Sequence, residues 1–250
     1  MTLTEKQIER YGRHIVLKEI GGAGQAKLRA CKIAIIGMGG LGGPVGLYLA
    51  AAGIGHLTLI DDDRVDLSNL QRQVQFDADD LGALKVNAAG RRFQALNEDV
   101  HIHGVAKRLL DENAEAYLSG HDLIIDGTDN FKTRLLINKT ALTLATPVLS
   151  GALGQFNGQV ALFPNDHIGP CYQCFVPELP PNEQSCAEFG VVGALAGIIG
   201  SVMALEAIKY IVGTGESLSG ALYIYDGLGL VGRKVSLPRD PDCPTCGTKA

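Results

Sequence analysis

The stretch IIGMGGLGGPVG, residues 35–46, decides the fold. It starts as an apolar run and becomes a string of glycines spaced Gly37-x-Gly39-x-x-Gly42. An apolar run before it and a helix pattern after it, GGPVGLYLAAAG, provide the context in which such a loop holds phosphates. Gly37 permits the tight turn, Gly39 lets the backbone approach phosphate oxygens, and Gly42 lets the helix pack on the strand. The helix start adds amide donors and a partial positive charge. The next apolar run, HLTLI at 56–60, ends in Asp61-Asp62-Asp63, and Asp61 stands where a ribose-binding acid belongs. At this point NAD, FAD and ATP fit equally well.

Working outward, six short apolar runs read as strands: 32–37, 56–60, 100–105, 122–126, 147–151 and 159–163. Helix-patterned stretches separate the first five, which argues for a parallel sheet. The rhythm changes after Gly151. Two late runs, 221–226 and 233–237, flank DGLGLVG and read as a hairpin. The expected fold is therefore α/β and Rossmann-like: a mostly parallel sheet extended by antiparallel strands, with helices on both faces. No linker divides the chain, so one domain is expected over 1–250, with a nucleotide-binding part at 1–165 and a second part at 166–250. The Pro-rich polar stretch FVPELPPNEQSCAE, 175–188, reads as an exposed loop.

Hydrophobic residues make up 46% and charged residues 20%, with a net charge of −5. That is the balance of an ordinary globule. No basic run exceeds two residues, which disfavours nucleic acid as a partner. The opening MTLTEKQIERYGRHIV is polar and lacks an apolar signal core, so a cytoplasmic location is expected. FGVVGALAGIIGSVMAL, Phe189 to Leu205, is uncharged but falls short of the ~20 residues a membrane span needs. A buried core helix is expected there, with Gly193, Gly197 and Ser201 forming the face that lets another backbone approach.

VDLSNLQRQVQF, 65–76, brings Asn69, Arg72 and Gln73, and Lys85 follows in LGALKV. DLIID-GTDN puts Asp126, Asp129 and Asn130 at the end of the fourth strand. Ligands of open parallel sheets sit at strand carboxyl ends, so these groups are aimed at one crevice. A pyrophosphate needs little cationic help beyond the loop. A triphosphate calls for an Arg fork, a Lys and a metal-binding carboxylate. Arg72 with Lys85 suits the β- and γ-phosphates, and Asp129 suits Mg²⁺. The competing assignments are a solvated Lys85 and an Asp129 that merely caps the helix FKTRLLINKTAL.

Cys171-x-x-Cys174 and Cys243-x-x-Cys246 suit a tetrahedral zinc site with four protein ligands, hence a structural one. Their wide separation implies a staple pinning the tail to the body. Disulfides and a redox CxxC are the alternatives, and a cytoplasmic location disfavours the first. Cys31 reads as a small buried hydrophobe. Cys186 lies in the polar loop just before a helix start, where a thiol pKa falls, although Glu188 opposes that.

GMGGLG, DDDRVDLSNLQRQ, the Lys of ALKV, GTDN, RYGRHIVL and the CxxC pairs together resemble the bacterial adenylyltransferases that activate small sulfur-carrier proteins, the ThiF, MoeB and HesA group. The likeness covers essentially the whole chain. It implies that a carrier protein's C-terminal Gly-Gly carboxylate attacks the α-phosphate of ATP·Mg²⁺. Pyrophosphate leaves, and sulfur later replaces AMP to give a thiocarboxylate. It also implies roles. Gly37, Gly39, Gly40 and Gly42 hold the nucleotide, with Asp61 on the ribose and Asp63 beside it. Ser68, Asn69, Leu70, Gln71, Arg72, Gln73 and Lys85 surround the phosphates. Thr128, Asp129 and Asn130 follow, with Asp129 on Mg²⁺. An Arg from the neighbouring subunit completes the site in this family, and Arg13 matches it, so a homodimer is expected. Without the resemblance Arg13 reads as an exposed helix charge. In parts of the family a Cys matching Cys186 joins covalently to the activated carrier; the plain alternative is an exposed bystander. Residues 166–250 become a zinc-stapled carrier-binding part.

The molybdopterin synthase small subunit is the favoured carrier and the thiamine sulfur carrier the alternative. No sulfurtransferase region is visible, so a separate protein is expected to donate sulfur. A NAD-dependent oxidoreductase shares the glycine loop and Asp61, but leaves Arg72, Lys85 and Asp129 without a purpose. A non-catalytic scaffold would not need the full phosphate set. Relatives that adenylate an RNA carbonyl fit poorly with the acidic balance.

Overall fold

The computed structural model describes residues 3–178 and 190–247. β1 (Lys32–Ile36) pairs in parallel with β2 (His56–Ile60) on one side and β4 (Leu123–Asp126) on the other. β3 (His101–Val105) adds to β2, and β5 (Val148–Gly154) adds to β4, both in parallel. β6 (Asn157–Phe163), β7 (Ala221–Asp226) and β8 (Val231–Ser236) then extend the sheet antiparallel. The order across all eight strands is β3-β2-β1-β4-β5-β6-β7-β8. The sequence strands are recovered, with the fifth and sixth longer than expected. They meet in a tight hairpin at Gln155 and Phe156, where Gln155 takes φ +44°.

β1 shows why its residues are almost continuously apolar. Ile33 and Ile35 face one core and Ala34 and Ile36 the other, and all four are buried. A parallel strand covered on both faces has no solvent side to leave polar. α1 (Glu5–Ile15) starts on a reciprocal Thr4–Gln7 capping pair and packs against α2 (Gly21–Ala30). α3 (Gly42–Ala52), α4 (Lys85–Leu96) and α8 (Gly193–Val212) bury Leu49, Phe93, Ile199 and Met203 in the core of Ile33 and Ile35. α5 (Ala114–Leu118) and α6 (Phe131–Thr143) bury Leu118, Ile137 and Ala141 on the opposite face. α7 (Tyr172–Phe175) is a single turn that begins after Cys171 and contains Cys174.

α8 is, among the described residues, the one helix long and apolar enough to span a membrane, and half of its apolar window is buried inside the fold. Its packed stripe differs from the expected one. A Cβ on Gly193 would sit 2.1 Å from the Gln71 carbonyl, and one on Gly200 would sit 2.8 Å from Pro44 Cβ. Gly197 has nothing within 4 Å, and Ser201 turns its hydroxyl back to the Gly197 carbonyl. The close-approach face therefore runs through 193, 196 and 200, the i, i+3, i+7 spacing. Cys31 is buried as expected, and burial pushes its thiol up to about 12.

Candidate active site

The parallel strands end together, and a cavity of about 760 Å³ opens there. It lies where the strand order reverses, between β1 and β4, the usual ligand crevice of such sheets. The glycine loop builds one wall. Gly37 adopts φ +87°, which an L side chain tolerates poorly. A Cβ on Gly42 would lie 1.8 Å from the Gly37 carbonyl, so only glycine lets α3 start this close to the turn. Gln75, which the sequence reading passed over, donates to the carbonyls of Met38 (2.9 Å) and Gly39 (3.2 Å) and holds the loop in shape.

Asp61 is fixed from two sides. Its carboxylate accepts from Met38 N at 2.6 Å and from Asp63 N at 2.8 Å. Burial pushes its pKa above the usual carboxylate range, and the nearby Lys85 charge partly offsets this. Lys85 opens α4 with its side chain only 7% exposed, and its ammonium donates to Asp63 at 2.8 Å. A cation this buried at a cavity wall is paired with a carboxylate rather than surrounded by solvent. The solvated alternative for Lys85 is thereby excluded.

Arg72 comes from the turn after Leu67–Asn69. Its guanidinium donates to the Ser68 carbonyl at 2.9 Å and lies along the cavity with Asn69 and Gln73. Gln73 is 3% exposed, and its side-chain carbonyl has no hydrogen-bond partner among the described residues. A buried unpaired acceptor at a cavity wall fits a ligand that brings a donor, such as a sugar hydroxyl.

At the end of β4 the carboxylates separate into two jobs. Asp126 is buried and saturated: it accepts from Thr128 N (3.0 Å), Thr128 Oγ1 (2.7 Å) and Ser150 Oγ (2.8 Å). It braces the loop instead of lining the cavity, so the expected carboxylate pair reduces to one. Asp129 is that one, exposed at the cavity wall. It does not cap α6. Asn130 does, accepting from Thr133 N at 2.9 Å.

Gly37, Gly39, Gly40, Asp61, Asp63, Asn69, Arg72, Gln73, Lys85, Thr128, Asp129 and Asn130 all line the one cavity. Gly42, Ser68, Leu70 and Gln71 do not: Gly42 packs on Gly37, Ser68 serves Arg72 through its carbonyl, and the Gln71 carbonyl abuts Gly193. Arg13 is exposed on α1 and lies outside the cavity of its own chain. Cys186 and Glu188 lie outside the described residues. The reading of the sequence missed Lys107, Arg108, Arg134 and Tyr172, which also line the cavity. None sits in a glycine loop or beside a strand-end acid; only the end of β3 before AKRL hinted at the first two.

The four paired cysteines converge across more than seventy positions. Cys171 and Cys243 Sγ lie 3.6 Å apart, Cys174 and Cys246 3.4 Å, and Cys171 and Cys174 4.0 Å. A tetrahedron with Zn–S bonds of about 2.3 Å has edges of about 3.8 Å, so the set fits zinc. Arg239 ties the tail down by donating to the carbonyls of His167, at 2.6 Å, and Cys246.

The chain matches the ThiF family over residues 11–245. It is 44% identical to the sulfur carrier protein adenylyltransferase of Thermus thermophilus, over 99% of this chain and 93% of that one. It is 40% identical to the SAMP-activating enzyme E1 of Haloferax volcanii, over 99% and 92%. A crystal structure of E. coli MccB with succinimide shares the fold, with a TM-score of 0.84 at 22% identity over 99% of this chain and 75% of that one.

Proposed function

This chain belongs to the ThiF family and is an adenylyltransferase, and from that premise we propose that it adenylates the C-terminal Gly-Gly carboxylate of a small ubiquitin-like sulfur-carrier protein, the molybdopterin synthase small subunit first. The observation that carries this reading is the gathering of Arg72, Lys85, Gln73, Asp61 and Asp129 in one cavity at the strand ends.

The chemistry asks little of a general base, because the attacking carboxylate is already ionised. What limits the reaction is repulsion between that carboxylate and the phosphates, and the entropy of bringing them into line. Asp61 anchors the ribose hydroxyls, and the Gly37–Gly40 backbone and the α3 start cradle the phosphates. Arg72 and Lys85 draw negative charge away from the bond that breaks to pyrophosphate. Asp129 would hold Mg²⁺, which neutralises phosphate charge when bound. Arg13 of a second copy completes the site in a cytoplasmic homodimer. Zinc on Cys171, Cys174, Cys243 and Cys246 staples residues 166–250 as the carrier-facing part, Cys186 takes the activated carrier covalently, and a separate protein brings sulfur.

The test is ATP–pyrophosphate exchange driven by purified carrier. The molybdopterin carrier should support exchange, and the same carrier with its terminal carboxylate amidated should give none. Exchange that ignores the carrier's terminus would overturn the proposal.

A further inference from the structure

α7 serves two sites at once. Cys171, which precedes it, and Cys174, within it, belong to the thiol cluster, while Tyr172 and Phe175 form part of the cavity wall. Asn138, buried on α6, joins the two. Its amide N–H faces Cys171 Sγ at 3.6 Å, and its carbonyl accepts from Tyr172 N at 2.8 Å. The Tyr172 phenol lies beside the Arg134 guanidinium on the same cavity wall, and that positive charge opposes the rise that burial gives the phenol's pKa. Arg134 is 7% exposed and donates to the carbonyls of Gly151, at 2.9 Å, and Thr128. Thr128 immediately precedes Asp129. A run of polar contacts thus leads from the thiol cluster, through the charge–phenol contact of Arg134 and Tyr172, to the loop that carries Asp129, one of the exposed carboxylates on the cavity wall.

A tail staple alone needs none of this. Any apolar side chain at position 172 would wedge α7 against Phe163, as the Tyr172 ring does edge-on at 5.6 Å. The phenol adds one thing, a partner for a buried cation that holds the Asp129 loop by its backbone. We propose that Tyr172 is a positioning residue that ties the four-cysteine cluster to the Asp129 loop through Arg134, so that the affinity for magnesium-bound nucleotide follows the geometry of the cluster. The inference rests on the nucleotide reading above.

Tyr172→Phe removes the phenol oxygen and little volume. Asn138→Ala cuts the link between Cys171 and Tyr172, and Asn138 does not line the cavity. Calorimetric titration of each full-length variant with ATP should show binding about tenfold weaker than the parent's with Mg²⁺ present and unchanged in EDTA. The double variant should be no weaker than either single one, because both cut one chain. Metal content per chain should match the parent's. Parent-like affinity in either variant, additive losses, or equal losses in EDTA would overturn the inference. A parent chain that binds no ATP·Mg²⁺ at all would instead sink the nucleotide reading, and this inference with it.

Discussion

The two halves of the sheet are built by opposite means. From β1 to β4 the site is local: a glycine loop, an acid one strand on and an acidic loop after the fourth strand lie at neighbouring strand ends. Beyond β5 the structure depends on partners far apart in the chain, as when Cys171 meets Cys243. Parallel strands place their carboxyl ends together whatever the loops contain, so short motifs suffice there. Antiparallel strands alternate direction and gather no such edge, so a metal-sized cluster and Arg239 hold the tail instead.

That contrast predicts where a substitution will hurt chemistry and where it will hurt stability. The largest effect falls on the first half. Asp129→Ala should lower carrier-dependent pyrophosphate exchange by roughly 100-fold to 1,000-fold. Its melting temperature and metal content should stay at the parent's values; if either fell, the halves would not be separable in this way. Next comes the second half. Paired Cys243→Ser and Cys246→Ser, or chelation of the proposed zinc, should lower the melting temperature by about 10 °C in a thermal scan. No loss of stability would mean that the cluster is no staple. Gly42→Ala should cost about 1–3 kcal/mol by chemical denaturation, since its Cβ would collide with the Gly37 carbonyl. ATP binding should weaken with it, as the loop and the helix start move together. Smallest, Gly197→Ala should be neutral or stabilising by up to ~1 kcal/mol, because that position is open and alanine favours a helix. Gly200→Ala, beside Pro44, should destabilise; a reversal of the two would restore the stripe the sequence suggested.

The same contrast explains what could be read in advance. Gly37, Gly39, Asp61 and the cysteine pairs carry their meaning in spacing, and each lies where that spacing put it. Asp126 and Asp129 look alike in DGTDN, yet one is spent on Thr128 and Ser150 and the other faces the cavity. Only the fold of β5 beside β4 separates them. Arg134 and Tyr172 were silent for a related reason: one lies inside a helix pattern and the other inside a CxxC, and they meet only when the sheet is complete. The i, i+4 repeat through Gly197 is visible in a string of letters, whereas the side of a helix that meets the core, here that of Gly200, is decided by packing.

Where ATP·Mg²⁺ binds is decisive, and a crystal structure of the protein soaked with it is the direct measurement. The phosphates are predicted to lie between Arg72 and Lys85 with the metal on Asp129, ribose on Asp61 and the α-phosphorus open toward Tyr172 and Phe175. A nucleotide bound elsewhere, or one whose phosphates turn away from Lys85 and Asp129, would contradict it.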